Sequence, residues 1–400
     1  MRVWIIDPLM DARWDELVRH NQRASVFHSP AWLSALRGTY GYHPVAFSTS
    51  APSGPLENGL LFCVVKSCIT GRRLVSLPFS DHCDSLIDSA AERADILAHV
   101  REHIDRGRLK YAEIRPLSVE KPEGLATMSA RPSEKFYLHM LSLHSPLDTL
   151  FRNLHKDSIQ RKVRRAEREE LSYEKGRSEC LLRKFYQLLL RTRRRHCLPP
   201  QPLQWFRNLM ASMGDQLTIR VASKHDRPVA AILTLSFKDT VTYKYGCSDE
   251  RFHHLGGIPF LFWKTIQESK DQGMGQLDLG RSDLDNAGLV QFKERLGARR
   301  MDLIYYRLVP SKAPSAKRIA QSDEPGSADA MRFAPCAMRP EGPRAASSEL
   351  PGKGPSLRRM VTESQIPSDP RRMQFLKRLV RHMPDPILVA AGRLLYRHFG

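Results

Sequence analysis

The stretch from Tyr243 to Gly297 constrains the fold more than any other part of the chain. It opens as an aromatic strand, Tyr-Lys-Tyr-Gly-Cys-Ser, continues through polar residues to Gly256-Gly257, and enters an apolar helix over Pro259 to Lys270. A second strand over Gln276 to Leu279 leads into Asp278, Arg281 and Asp283, and another helix spans Leu289 to Leu296. In an α/β domain, ligands gather where strand ends meet helix starts, because free backbone N–H groups point there. This segment is expected to form half of a group-transfer site.

Upstream, Ser145-Pro146, Asp157 or Ser158, and Ser178 each signal a helix start, a capping hydroxyl or carboxylate meeting the orphan N–H groups of the first turn. The second of these helices carries Ile159, Val163 and Ala166 on one side and Arg161, Lys162, Arg164, Arg165 and Arg168 on the other. The third runs into Arg193-Arg194-Arg195-His196 and stops at Pro199-Pro200. Strands are expected over 217–222, 229–237, 241–245 and 303–309. The first half repeats nearly the same string of elements without sequence identity, which suggests a degenerate duplication. The expected units are 1–133 and 134–310, then a linker at 311–370 rich in Pro, Ser, Ala and Gly that lacks the apolar residues to fold, and an amphipathic helical tail at 371–400.

The formal charge of +20 favours anionic partners, whether phosphorylated small molecules, nucleic acid or an acidic membrane surface. Seven cysteines without a C-x-x-C pair argue against a disulfide framework or a structural zinc site, and no metal ligand set is expected. The N-terminus is apolar for too few residues to form a secretion signal, and no run approaches the ~20 apolar residues of a membrane span. A cytoplasmic protein is expected. The tail mixes Phe375, Leu376, Ile387 and Leu388 with Arg and Lys, and reads either as a segment docked on the folded body or as a contact with an anionic membrane surface.

These residues resemble a known family. His155–Glu167, Tyr243–Ser248, Asp278–Asp283 and Gly288–Gly297 are similar to the Fem-type aminoacyltransferases that build peptidoglycan cross-bridges, the FemAB-like branch of the GNAT superfamily. The resemblance is firm over about 134–309, weaker over 1–133, where Phe27–Trp32 and Leu77–Phe79 carry it, and absent from the linker. It implies an α/β (mixed α+β sheet) fold of two tandem GNAT-like domains with an acceptor cleft between them, and a C-terminal segment that returns to the first domain. It also implies transfer of an aminoacyl or acyl group to an amine of a cell-envelope or exopolysaccharide precursor, with no bound cofactor and with aminoacyl-tRNA or acyl-CoA as donor. Enzymes that use acyl-CoA carry a glycine where this chain has His254 in Arg251-x-x-His254-x-Gly256. A side chain at such a close approach obstructs a pyrophosphate cradle, which ranks aminoacyl-tRNA above acyl-CoA.

Transfer to an amine needs the free base, and deprotonating a lysine-like acceptor at pH 7 costs roughly 4–5 kcal/mol. A carboxylate or histidine beside the acceptor must offset this. Asp283 is expected as the catalytic carboxylate with Arg281 as a bidentate clamp; the bland alternative for the two is a surface ion pair worth little. Asp278 reads as a turn residue or a second carboxylate. Asp81, His82 and Asp84 from the first half, Arg194, Arg195 and His196, Tyr243 and Tyr245 on one strand face, and Lys293 are expected to bind substrate. Each has a structural alternative: N-caps for the carboxylates, macrodipole compensation for the arginines, strand packing for the tyrosines, and a solvated helix face for Lys293. The competing functional classes are a non-catalytic GNAT-fold scaffold and a basic nucleic-acid-binding protein, although no recognised RNA- or DNA-reading motif is present.

Overall fold

The computed structural model describes residues 1–68, 70–117, 130–311 and 383–399; the expected linker, apart from Ser311, and tail residues 371–382 lie outside them. In chain order the first half contributes β1 (Trp4–Ile6), α1 (Arg13–His20), α2 (Pro30–Tyr40), β2 (His43–Ser48), β3 (Leu60–Ser67), β4 (Gly71–Val75), α3 (Ala90–Arg106) and β5 (Ala112–Ile114). The second contributes β6 (Arg131–Ser142), α4 (Leu147–Asn153), α5 (Arg161–Arg168), β7 (Ser172–Gly176), α6 (Glu179–Arg195), α7 (Leu203–Met213), β8 (Leu217–Lys224), β9 (Arg227–Phe237), β10 (Thr240–Ser248), α8 (Gly257–Asp271), β11 (Gln276–Asp283), α9 (Ala287–Arg295), β12 (Arg299–Leu308) and α10 (Asp385–Phe399). Starts follow the sequence signals: the Ser29 and Ser178 hydroxyls cap α2 and α6, and Pro30 occupies the first turn of α2.

All twelve strands form one mixed sheet in the order β1-β2-β3-β4-β5-β12-β6-β11-β10-β9-β8-β7. Four antiparallel strands and a parallel fifth enter from each edge, β1 to β5 from one side and β7 to β11 from the other. The parallel crossovers are made by α3 and α8, so the halves repeat one topology. β6 and β12 fill the middle, where β12 pairs with β5 on one side and β6 on the other.

Strand alternation feeds two helical layers. Ala46, Leu61, Cys63, Ile219, Leu233 and Cys247 face a core shared by α1 and α2 of the first half and α6 and α7 of the second. Phe47, Phe62 and Leu74 face α3, while Val241, Leu277 and Leu279 face α8 and its neighbours. The tail helix α10 buries Leu388 and returns to the first half: Tyr42 Oη donates to the Tyr396 carbonyl at 2.7 Å, and Arg73 to that of His398 at 3.0 Å. Among the described residues no helix is long and apolar enough to cross a membrane. Two local expectations fail. β7 is a polar edge strand with too little alternation to read. The segment before α5 opens on a single π turn capped by the His155 side chain instead of Asp157 or Ser158.

Candidate active site

The site is an opening in the sheet. β10 and β11 pair in parallel only from Thr240–Thr242 to Gln276–Asp278, although both strands continue. Each is then distorted. On β10 the register with β9 passes from Tyr243 to Tyr245, leaving Lys244 as an extra residue. On β11 the register with β6 passes from Asp278 to Arg281, and Gly280 takes a φ of 71°, a left-handed conformation that glycine adopts without a Cβ penalty. The strands diverge around a cleft of ≈ 620 Å³.

The β10 bulge overturns the expectation that Tyr243 and Tyr245 share a face. An extra residue between them turns Tyr243 toward α8, where its ring lies 4.8 Å from that of Phe262. Tyr245 is turned to the opposite core, accepting a hydrogen bond from Trp205 Nε1 at 2.9 Å. Both rings line the cleft while packing against a helix layer. Lys244, between them, points to the floor; a lysine inside an otherwise aromatic strand was the signal that went unread.

The floor joins the two halves. The loop after β4 inserts Asp81 and His82 against β10 and β11. Asp81 Oδ2 meets Lys244 Nζ at 3.2 Å, and Oδ1 lies 3.8 Å from Arg281 Nε. Burial pushes the Asp81 carboxyl up, but Lys244, Arg281 and Lys293 outweigh it and hold it below the usual range. His82 Nε2 donates to Asp278 Oδ2 at 3.0 Å, and Gly280 N donates to Oδ1 at 2.7 Å, so one carboxylate pins both the β11 bulge and the first half. Burial lowers the His82 pKa, yet the hydrogen bond and charge of Asp278, with Asp81 and Asp84, raise it above the ordinary value. Asp278 is thus an internal strut. Asp84 does not line the cleft: its carbonyl bonds to the His28 ring at 2.9 Å and its carboxyl is raised by burial.

Arg281 and Asp283 both line the cleft. Arg281 lies over the Phe136 ring at 4.3 Å and donates to Tyr305 Oη at 2.9 Å; Tyr305 Oη in turn donates to the Asp81 carbonyl. The guanidinium is held in the cleft wall by the two rings, the hydroxyl and the Asp81 carboxylate. Lys293 is no solvated helix residue. It is buried under α9 and Nζ donates to the carbonyls of Gly280 and Arg281 at 2.8 and 2.9 Å. Burial is the largest influence on its pKa, which falls to about 8.

The Arg193–His196 run divides. Arg193, Arg195 and His196 line the cleft. Arg194 turns away to Asp385 and the Met383 carbonyl, at 2.5 and 2.9 Å, and belongs to the docking of α10. His254 also points out to solvent, and does not obstruct the cleft. What fills the glycine approach instead is α5: a Cβ on Gly256 would lie 2.4 Å from the Lys162 carbonyl oxygen. Seven lysines and arginines line the cleft against two carboxylates, Asp81 and Asp283. Among the described residues no group of His, Cys, Asp and Glu is arranged to hold a metal ion.

Residues 153–294, which supply the splayed strands, α8 and most of the cleft, match the acetyltransferase (GNAT) domain family. The chain carries a GNAT domain. Solved structures extend the GNAT likeness over both halves. FemX shares the fold at 12% identity and a TM-score of 0.60, covering 77% of this chain and 97% of its own. A tandem GNAT protein from the clavulanic acid biosynthesis pathway matches at 12% identity and a TM-score of 0.50, covering 78% and 100%. An Agrobacterium fabrum C-terminal domain (DUF2156) assigned to a lysylphosphatidylglycerol synthetase matches at 15% identity and a TM-score of 0.50, covering 74% and 90%. No curated protein matches the sequence. The protein has the mixed α/β fold of tandem GNAT proteins and of FemX, and is a member of the GNAT acyltransferase superfamily.

Proposed function

We propose that the cleft moves an aminoacyl or acyl group from an anionic carrier to a primary amine on a cell-envelope or exopolysaccharide precursor. The observation that carries this reading is Lys293. A neutral lysine has two N–H groups, and here two carbonyls take both, which leaves the nitrogen lone pair as a proton acceptor at the cleft wall. Asp283 draws the acceptor ammonium to the opening. One proton leaves it to solvent and the amine attacks the donor carbonyl. A C–N bond forms, Lys293 takes the second proton, and the C–O bond of an ester (or C–S of a thioester) breaks as Lys293 returns that proton to the leaving group. Lys244 and Arg281 surround the floor with positive charge, which favours the oxyanion of the intermediate.

The cation-rich wall suits the phosphates of either donor. The Fem-type resemblance, and the fold shared with FemX and with the domain assigned to a lysylphosphatidylglycerol synthetase, support an envelope acceptor. The deciding assay offers aminoacyl-tRNA and acyl-CoA separately with a lysine-terminated precursor. Lys293→Arg, which keeps the charge but cannot release a proton, is expected to lose roughly 10²–10⁴ in rate, and the wild-type rate to rise with pH through about 8. Wild-type turnover by the variant would sink the role of Lys293. No transfer with either donor, alongside retained partner binding, would favour a scaffold.

A further inference from the structure

α6 presents Leu182, Phe185 and Leu189 to the core, and the next position of that stripe is Arg193, only 8% exposed. Its neighbours on the helix are paired: Arg191 with Asp249, Arg194 with Asp385, Arg195 with Glu250. Arg193 has no side-chain hydrogen bond or ion pair to any described residue. Its guanidinium faces the cleft near the Tyr243 and Tyr245 phenols and the Cys247 thiol, all kept neutral by burial. Of the two cleft carboxylates, Asp81 is taken up by Lys244 and Arg281, and Asp283 has a partner of its own. A buried cation without a counter-charge destabilises a fold, and a cleft-facing one gains its partner from a ligand.

We propose that Arg193 anchors an oxyanion subsite, for a carboxylate or phosphate carried by the acceptor, on the α6 side of β10. This deepens the transfer reading and rests on it for the word acceptor. α8, whose first residues Gly257 and Ile258 also line the cleft, covers the opposite, Tyr243 face of the strand, the side left to the donor. Two anionic groups then approach from different sides of the opened sheet, one on the donor and one on the acceptor. A guanidinium matches either oxyanion with two parallel hydrogen bonds.

The test needs no transfer assay. The full chain is melted with and without sodium phosphate, and separately sodium acetate, at constant ionic strength. Arg193→Met, similar in length and uncharged, is compared with the wild type. The expected result is a higher melting midpoint for the variant without anion, and binding of the effective anion weakened ~10-fold or more. Response to phosphate alone marks a phosphate-bearing acceptor, and to acetate alone a carboxylate-bearing one. A variant that melts below the wild type without anion, an anion response equal in both proteins (binding confined to the α8 N-terminus), or no response of the wild type to either anion would each overturn the subsite. Failure of transfer with a preserved, Arg193-dependent response would reject the reaction and leave the subsite standing.

Discussion

At the scale of single residues, the decisive group is a carboxylate buried behind the cleft lining. Asp278 is 1% exposed and holds His82 with one oxygen and the Gly280 amide with the other. Because the folded His82 pKa is raised, its contribution to stability is full below the unfolded value of about 6.5 and is lost as pH rises through the folded value. Asp278→Asn is therefore expected to cost about 3 kcal/mol near pH 5.5, and less at pH 8.5, because the His82 charge can only fall as pH rises. Denaturant melts at the two pH values check it, and an equal loss at both contradicts a charged pair. Lys293 runs the other way. Its lowered pKa favours the folded state as pH rises from about 8 toward the unfolded value near 10.4. Lys293→Met should flatten that rise in the same melts. Of the site residues, Asp278, Arg281 and Asp283 stood out in the sequence at a strand end, Asp81 and His82 in a polar loop, and Lys293 on the helix behind Gly288. The pairings across the two halves did not, since Asp81 lies 163 residues from Lys244 and His82 196 from Asp278.

At the scale of elements, two bulges make the opening, and they are also where sequence reading broke down. Period-two alternation put Tyr243 and Tyr245 together, whereas one extra residue reverses every later side chain, and Lys244 between the two rings is its trace in the sequence. The helix starts were legible from serine and proline; the polar edge strand β7, paired on one side only, was not. The β11 bulge is testable at Gly280. A Cβ there would lie 2.9 Å from Asp81 Oδ2, at a backbone φ of 71°. Gly280→Ala is expected to destabilise by roughly 1–3 kcal/mol and to weaken donor binding as the Asp81–Lys244 pair is displaced. Thermal melts and donor titration report the two effects. A neutral substitution would show that the bulge relaxes without cost.

At the scale of the whole molecule, the halves are joined covalently, by a shared helical core, and by charge. Glu113 of β5 binds Arg115 and, at 2.9 Å, Arg307 of β12, while Arg307 also reaches Glu134 of β6. α10 adds a clasp. A chain ending at Ser311 is expected to lose about 1.5–3 kcal/mol from Leu388 alone, visible as a lower unfolding midpoint; an unchanged midpoint would show that the helix contributes nothing to the body. The place of β12 has a further consequence for how the chain is made. Its pairing surfaces on β5 and β6 emerge from the ribosome long before it does, so a nascent chain carries two bare strand edges until residues 299–308 arrive. Bare edges invite pairing with other chains, and a fragment of residues 1–133 should accordingly precipitate rather than fold, even though it holds one full copy of the repeated topology.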